Sequence, residues 1–275
     1  MKMRSGLVSA IVGLGVLAGC GTTYAIPKAS DPEISKATQM FEEAQQNTSR
    51  RILSDNEAER RFSRVLRRVK PAGERVCEEA TANQEDFICN VDIQIDTKMS
   101  VRNAYFTYSN GAPVIRMSMP LIKDTTSDDE VAFVMSHEFG HLIGQHIEKQ
   151  RKQALTGALI LGAITAYGNT YAASAGQYYD PNSVARNMEL GAAVGSKAYS
   201  QTYELESDTL AVYIAKAAGY DPIKGAEFFA RPEDVRTSQG NLSFWGTHPP
   251  DEKRLATVIA ATKLFEINGG KLKPK

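Results

Sequence analysis

The sequence lacks the features that mark nucleic-acid-binding and membrane-spanning proteins. Basic and acidic side chains are equal in number over the 275 residues, so the net charge is zero at pH 7. No basic field is available for a phosphate backbone. The arginines between positions 60 and 68 alternate with apolar residues at helical spacing, which favours the solvated face of an amphipathic helix over a contact with anionic lipid. Two apolar runs, residues 7–17 and 154–167, are both shorter than the ~20 residues that span a bilayer.

Cysteine is also scarce, with three residues in the whole chain. The first, Cys20, ends a Leu-Ala-Gly-Cys sequence that follows the basic residues Lys2 and Arg4 and the first apolar run. This order resembles a bacterial lipobox, in which cleavage precedes an acylated cysteine; the alternative is an ordinary secretory signal. We therefore expect residues 1–19 to be a signal peptide and Cys20 to be lipidated. Gly21, in place of the aspartate that retains lipoproteins in the inner membrane, favours the periplasmic face of the outer membrane.

The other two cysteines, Cys77 and Cys89, form the one remaining pair. The bacterial periplasm is oxidising, so a disulfide between them is expected. Their spacing suits no zinc clip, and no nearby histidine completes one. The pair is therefore assigned to stability, with a contribution of about 3 kcal/mol from a closed loop of this size.

Histidine is nearly as rare, with four residues, and two of them fall in one motif. His137-Glu138-Phe139-Gly140-His141 spells H-E-x-x-H. On a helix the two histidines lie one turn apart and leave the same face, so both imidazoles can bind one zinc ion. Glu138 can then take a proton from the attacking water.

The residues around the motif predict the helix that this chemistry requires. Ser127 and Glu130 fit a capping box, and apolar residues at helical spacing follow. Good helix formers continue to Arg151, so we expect one unbroken helix. His146 lies off the ligand face and is interpreted as a helix-surface residue or as a partner of a ligand.

A catalytic zinc needs a third protein ligand, and a second predicted helix offers candidates. Glu204 and Asp208 are four residues apart and share a face, whereas Glu206 points away from it. One acid can bind the metal while the other accepts the free ring N–H of a ligand histidine. The pattern alone does not decide which acid does which. This helix should end at Gly219.

The chain at this point resembles a family of zinc metallopeptidases that includes the HtpX heat-shock proteases, the CAAX prenyl endopeptidases and periplasmic, outer-membrane-associated peptidases. The shared pattern is H-E-x-x-H followed by E-x-x-x-D on a later helix. The family also has a His-Pro loop with an arginine six residues after the histidine, which matches His248 and Arg254. An Asn-Ala-aromatic step into an edge strand matches residues 103–106.

The resemblance implies a role for each matching residue. Glu204 would be the third zinc ligand, and Asp208 and Arg254 would lie behind the ligands. His248 would approach the zinc, where it can fill the open position and keep the enzyme latent or donate to the oxyanion; the alternative is a structural turn histidine. The edge strand expected to pair with the substrate comprises Asn103, Ala104, Tyr105 and Phe106.

These observations predict an α+β protein with a mainly helical, zincin-like fold and a small antiparallel sheet. Residues 20–33 would form a lipidated tether, and residues 34–275 the peptidase domain. Residues 154–196 are expected to contain a buried helix and a mobile loop, the alternative being a membrane contact.

The predicted activity is that of a zinc metalloendopeptidase with one Zn²⁺ per chain, which cleaves misfolded or stalled envelope proteins in the periplasm. Expected partners are those substrates, the membrane through the lipid anchor, and the outer-membrane assembly machinery, but no nucleic acid. The alternative is a chaperone-like outer-membrane assembly factor whose zinc is mainly structural. The intact Glu138 argues against that alternative, because a structural site needs no general base.

Overall fold

A computed structural model of the chain describes residues 21–46, 51–197, 200–231 and 243–275. Cys20 and the predicted signal peptide lie outside these residues. Within them, the chain forms ten α-helices and one small sheet, which agrees with the predicted mainly helical α+β class. The elements in chain order are α1 (Asp31–Gln46), α2 (Asp55–Ala80), β1 (Asp92–Asp96), β2 (Ala104–Ser109), β3 (Ala112–Ser118), α3 (Met119–Asp124), α4 (Asp128–Ile143), α5 (His146–Ser174), α6 (Ser183–Lys197), α7 (Ser200–Ala217), α8 (Pro222–Ala226), a 3₁₀ turn (Glu227–Ala230), α9 (Phe244–Thr247) and α10 (Glu252–Ile267).

Helix α4 carries the H-E-x-x-H motif through the core, packed against α2, α7 and α8. Ser127 caps it by accepting a hydrogen bond from the backbone N–H of Glu130. The second half of the expected capping box is absent, because the Glu130 carboxylate instead binds Thr126 and Arg231. Side chains on every face of α4 are buried, so the helix is a core element rather than an amphipathic surface helix.

The predicted unbroken helix to Arg151 is wrong. Helix α4 ends at Ile143, and α5 begins at His146. Gln145 between them has a φ of 54°, a left-handed conformation that interrupts the helical hydrogen-bond ladder. The break redirects the chain and turns His146 back toward α4.

The sheet has the strand order β1-β3-β2. Strands β2 and β3 form the predicted antiparallel hairpin, whose turn residues Asn110 and Gly111 both have positive φ, 50° and 81°. The expectation of a wholly antiparallel sheet is wrong, since β1 pairs with β3 in parallel. Strand β2, which begins at Ala104, lies at an edge of the sheet, as the sequence predicted for this segment.

Cys77 near the end of α2 is joined to Cys89 by a disulfide, with a Cα–Cα distance of 5.7 Å. Both residues are buried. The bond connects α2 to the segment that leads into β1, and so ties the helical core to the sheet.

The described part of the predicted tether, residues 21–33, includes residues packed against the domain, so the expectation of a free tether up to residue 33 is wrong. Tyr24 is 3% exposed and forms an antiparallel bridge with Pro274. Helix α1 begins at Asp31, so the last three residues of the predicted tether are helical. Pro32 occupies the first turn of this helix, where its missing N–H costs nothing.

Residues Arg151–Ser196 form a compact unit of their own, and the remaining described residues from Thr22 onward form the other. Within the smaller unit α5 and α6 lie close together, and a Cβ on Gly191 would meet the Gly157 carbonyl oxygen at 2.2 Å. The expected buried helix is wrong, whereas the expected mobile loop stays a prediction, with residues 177–180 outside any helix. The apolar side chains of Leu159 and Ile164 on α5 are exposed, and helix α6 begins at Ser183. Among the described residues no helix is long and apolar enough to cross a bilayer.

Candidate metal centre

Helix α4 places His137 and His141 one turn apart with their rings turned toward each other. Their Nε2 atoms are 3.1 Å apart. His137 is fully buried, and His141 keeps a small exposed fraction. Two imidazole nitrogens that converge in this way on one face of a helix form half of a metal site.

Helix α7 brings Glu204 to the same point. Its Oε2 lies 3.2 Å from Nε2 of His137, and its Oε1 lies 3.4 Å from Nε2 of His141. The approach depends on Gly140, because a Cβ there would lie 2.7 Å from the Cα of Ser207. The absence of a side chain inside the H-E-x-x-H motif therefore lets α4 and α7 pack backbone to backbone.

His248 completes the cluster from the residue that follows α9. Its Nδ1 lies 2.9 Å from Oε2 of Glu204 and 3.3 Å from Nε2 of His137. His248 lies 111 residues from His137 in the sequence, and the structure places it at the cluster, as predicted. One atom from each of the four side chains lies within 4.8 Å of the others.

The donor set fits a tetrahedral ion. Ligand atoms at 2.0–2.1 Å from a common zinc would be separated by about 3.4 Å. The distances among His137, His141 and Glu204 range from 3.1 to 3.4 Å. Three imidazoles and one carboxylate are also the donor types that zinc prefers.

Behind the cluster, Asp208 holds His137 in place, as the resemblance implied. The Nδ1 of His137 donates to Oδ1 of Asp208 at 2.9 Å. Arg254, which is almost fully buried, donates to both oxygens of Asp208 at 2.7 Å. Burial raises the pKa of Asp208, but the Arg254 guanidinium outweighs it and lowers the pKa below its usual value. The carboxylate therefore stays ionised and fixes the His137 ring with Nε2 toward the cluster.

The two motif histidines differ in protonation. Burial disfavours the charged form of His137, but its bonds to Asp208 and Glu204 raise the pKa to about 9. Burial lowers the pKa of His141 well below its usual value. A metal that binds His137 must therefore compete with a proton on that ring.

Glu138 lies beside the donor atoms without being one of them. Its carboxylate is 1% exposed, and its Oε1 lacks a hydrogen-bond partner among the described residues. Nε2 of His248 lies 3.5 Å from this Oε1. Burial raises the pKa of Glu138, while a hydrogen bond from the backbone N–H of Phe106 opposes the rise. Burial of a carboxylate oxygen without a hydrogen bond costs free energy. Such an oxygen is available to accept a proton from a molecule bound at the cluster.

The bond from Phe106 also places the edge strand. Backbone groups of a strand point to the same edge at every second residue. The edge of β2 that faces Glu138 therefore also carries the backbone groups of Ala104. Asn103, just before the strand, accepts a hydrogen bond from the hydroxyl of Thr247, next to His248. Asn103, Ala104 and Phe106 therefore lie at the cluster side of the sheet or lead into it. Tyr105 pairs with Arg116 of β3, and its hydroxyl donates to Asp96.

His146 and Glu206 lie closer to the site than the sequence interpretation placed them. His146 is 1% exposed, which excludes the surface alternative, and its Nδ1 lies 2.9 Å from Nδ1 of His141. Its Nε2 lies 2.9 Å from Oε2 of the buried Glu206. Glu206 does point away from the cluster, as its helical position predicted, but toward a second buried histidine rather than toward solvent. The interruption of the helix at Gln145 brings His146 to Glu206, and no periodic pattern in the sequence predicts this contact.

The family comparison agrees with the geometry. A family model described as peptidase family M48 matches residues 63–262. The chain belongs to peptidase family M48. Peptidases of this family depend on a metal, and the matched region includes all four clustered side chains. Membership therefore supports a metal-dependent peptidase.

The match to peptidase family M48 runs from within α2 to within α10. It leaves helix α1 and the N-terminal segment outside the family model. The comparison with curated proteins gave no significant match.

Proposed function

We propose that this M48 peptidase is a zinc-dependent endopeptidase of the bacterial envelope. The single observation that carries the proposal is the buried carboxylate of Glu138, whose Oε1 lacks a hydrogen-bond partner among the described residues, beside four converging donor side chains. The set of three imidazoles and one carboxylate, with separations near those of a tetrahedral zinc, supports zinc over a hard cation such as Mg²⁺, which prefers oxygen ligands.

In this proposal His137, His141 and Glu204 hold the ion. A bound zinc would lower the pKa of a water toward about 7 and polarise the peptide carbonyl. Glu138 accepts the proton of the attacking water at its free Oε1 and later delivers it to the leaving amine. Asp208 and Arg254 keep His137 oriented throughout.

His248 has a gating role. Its Nδ1 lies among the donor atoms, where it can occupy the fourth position and hold the enzyme latent. Its place on a loop stiffened by Pro249 and Pro250, rather than on a helix, allows it to leave when a substrate arrives. In the observed position its Nε2 lies 3.5 Å from Oε1 of Glu138. Once a substrate displaces the ring from the fourth position, it can donate a hydrogen bond to the oxyanion.

Substrates bind along the edge of β2, in an extended conformation that adds a strand to the sheet. The outward backbone groups of Ala104 supply pairing that does not depend on the substrate sequence. Backbone pairing suits a broad specificity for unfolded chains, and we infer that misfolded or stalled envelope proteins are the substrates. Folded proteins do not offer a free extended segment of this kind.

The envelope location rests on two features of the chain. The Leu-Ala-Gly-Cys sequence ending at Cys20 supports lipidation and an outer-membrane anchor. The Cys77–Cys89 disulfide in the core supports an oxidising compartment such as the periplasm. Both features also favour the periplasmic lipoprotein branch of the family.

A different class of function is a chaperone-like outer-membrane assembly factor with a structural zinc. This alternative does not explain why Glu138 is buried beside the cluster, since a closed structural site has four ligands and needs no free base. His248 as a permanent fourth ligand is the one observation in its favour, because four protein donors would then close the site.

Hydrolysis of casein by the purified protein separates the two functions. We expect cleavage that a chelator abolishes and stoichiometric zinc restores. Glu138→Gln should lose activity by a factor of at least about 10² while retaining zinc, because the residue is a base and not a ligand. The matched control is Glu59→Gln, a substitution at an exposed position of α2. Stoichiometric zinc with no proteolysis by the wild type, or with wild-type turnover in Glu138→Gln, contradicts the proposed mechanism.

The physiological substrates can be captured with the same variant. Glu138→Gln expressed with its leader should retain uncleaved proteins that co-purify with it from the periplasm. Enrichment of unfolded envelope proteins over an equally expressed Glu138→Gln variant that also carries Ala104→Pro, which removes an outward N–H of β2, supports strand addition at β2. Equal capture by both proteins contradicts it.

A further inference from the structure

The two motif histidines are supported in different ways. His137 donates directly to Asp208, which is the common arrangement of a carboxylate behind a ligand histidine. The free nitrogen of His141 meets a second imidazole instead, that of His146, with the two Nδ1 atoms 2.9 Å apart. Since ligand histidines are generally held by such an outer contact, His146 stands where the support of His141 is required.

Two contacts favour one tautomer of His146, whose Nδ1 also lies 3.2 Å from the hydroxyl of Ser207. A His141 that binds metal through Nε2 carries its proton on Nδ1, so it donates to Nδ1 of His146. His146 must then carry its own proton on Nε2, which lies 2.9 Å from the carboxylate of Glu206. The ring is fixed by stacking on Tyr203, with centroids 4.5 Å apart. Gly144 leaves the space for it, because a Cβ there would lie 2.3 Å from Nε2 of His146.

The carboxylate of Glu206 is fully buried and receives its remaining hydrogen bonds from the start of the described chain. The backbone N–H groups of Thr23 and Tyr24 both donate to its Oε1 at 2.6 Å. The ammonium group of Lys149 lies 3.9 Å from Oε2 and donates to the hydroxyl of Thr23 at 2.7 Å. A buried carboxylate needs such donors to remain in place.

These contacts form one continuous series from the N-terminal segment to the cluster. We propose that His146 and Glu206 position His141 for metal binding, and that the backbone of Thr23 and Tyr24 is an integral part of this support. The inference rests on the proposed function, since it requires His141 to be a metal ligand. It assigns a role to the segment that follows the predicted lipidation site. A displaced N-terminal segment removes both backbone N–H donors from Oε1 of the buried Glu206, which loosens its hold on His146 and, through His146, on the His141 ring.

Zinc affinity, measured by competition with a chromogenic chelator, tests the support independently of proteolysis. His146→Phe keeps the ring shape but removes both nitrogens, and it should lose about 10- to 100-fold in affinity. His146→Gln can accept from His141 and donate to Glu206, and it should recover most of that loss. Cobalt-substituted protein should show altered visible bands in His146→Phe and wild-type bands in His146→Gln. Equal affinities and spectra in all three proteins overturn the proposal.

The N-terminal part has its own pair of variants. Thr23→Pro removes one N–H donor to Glu206, whereas Thr23→Val removes the hydroxyl and keeps that N–H. We expect the proline variant to bind zinc about tenfold more weakly than the valine variant, the scale of losing one bond to a buried charge. Equal zinc affinities in the two variants overturn the role of the segment.

A measurement on the unaltered protein guards against variants that fail to fold. The ¹⁵N chemical shifts of the zinc-loaded wild type should assign the proton of His146 to Nε2. A proton on Nδ1 overturns the proposal. Absence of zinc binding by the wild type instead refutes the proposed function, so the two failures are distinguishable.

Discussion

Gly140 is the position where one added methyl group should separate the two halves of the metal centre. A Cβ at this residue would lie 2.7 Å from the Cα and 2.8 Å from the carbonyl oxygen of Ser207 on α7. Both are backbone atoms, so no side-chain rotation relieves the contact. Ordinary van der Waals distances for such pairs are about 3.5–4.0 Å, and Gly140→Ala therefore has to move α7 away from α4 by about 1 Å.

The displacement acts on stability and on metal binding by different amounts. Overpacking of a core typically costs about 1–3 kcal/mol, and replacing a helical glycine by alanine returns about 1 kcal/mol. With two backbone atoms in conflict we expect a net loss of about 2 kcal/mol, or about 4–8 °C in the melting temperature of a domain of this size. Ligand distances tolerate only about 0.2 Å, so the shift of Glu204 should weaken zinc binding at least tenfold.

The matched control is Gly168→Ala in helix α5. Nothing lies within 4 Å of the added Cβ there, and the backbone is in an ordinary helical conformation. The gain in helix propensity of up to about 1 kcal/mol should appear without opposition, and zinc affinity should not change. Thermal unfolding of the metal-free proteins by circular dichroism, with chelator competition for zinc, measures both effects.

A Gly140→Ala protein that unfolds at the temperature of the wild type and binds zinc equally well would contradict this prediction. That result would mean that α4 and α7 can separate without moving Glu204. A loss of stability with unchanged zinc affinity would also refute the argument, because it would dissociate the helix contact from the ligand geometry.

Four further outcomes are expected. His248→Ala should raise basal casein cleavage if the residue holds the enzyme latent, and lower kcat at constant zinc content if it acts on the oxyanion; unchanged rates in basal and saturating assays leave it a structural residue. Glu204→Gln should lose zinc affinity far more than substitution of any acid outside the cluster, as chelator competition will measure. Cys77 and Cys89 should appear as one cross-linked peptide pair when periplasmic protein is mapped without reduction, and alkylation of both thiols would contradict the assignment to an oxidising compartment. Burial opposes protonation of His137, but the neighbouring carboxylates outweigh it and raise its pKa to about 9 without metal, so zinc must displace a proton below that pH. Zinc affinity should therefore rise about tenfold per pH unit between pH 7 and 9 and then level off. A zinc affinity that does not change with pH in calorimetric titrations would contradict this.

Local patterns determined the elements whose signals lie within a few residues. The i, i+4 spacing of His137 and His141 requires only a helix, and the cap at Ser127 begins that helix where the sequence predicted. Helix α7 ends before Gly219, whose φ of 78° is the left-handed conformation that the sequence indicated. In each case the physical cause is short-range, so the pattern was sufficient.

The resemblance to a family extended this to residues far apart in the chain. It brought Glu204, His248 and Arg254 together, which no periodicity could do. The structure places all three at the cluster. Their meeting depends on the close approach of α4 and α7 at Gly140. The motif contains this glycine, but its pattern does not predict the helix contact.

The tertiary structure alone decided the remaining parts. A parallel partner for β3, the left-handed Gln145 that divides the predicted long helix, and the docking of Tyr24 all depend on contacts between distant segments. The contact of His146 with Glu206 joins residues 60 positions apart, and it forms because burial leaves each polar group only the partners that the fold brings within reach. A sequence pattern records which groups need partners, whereas the packed chain determines which partners they receive.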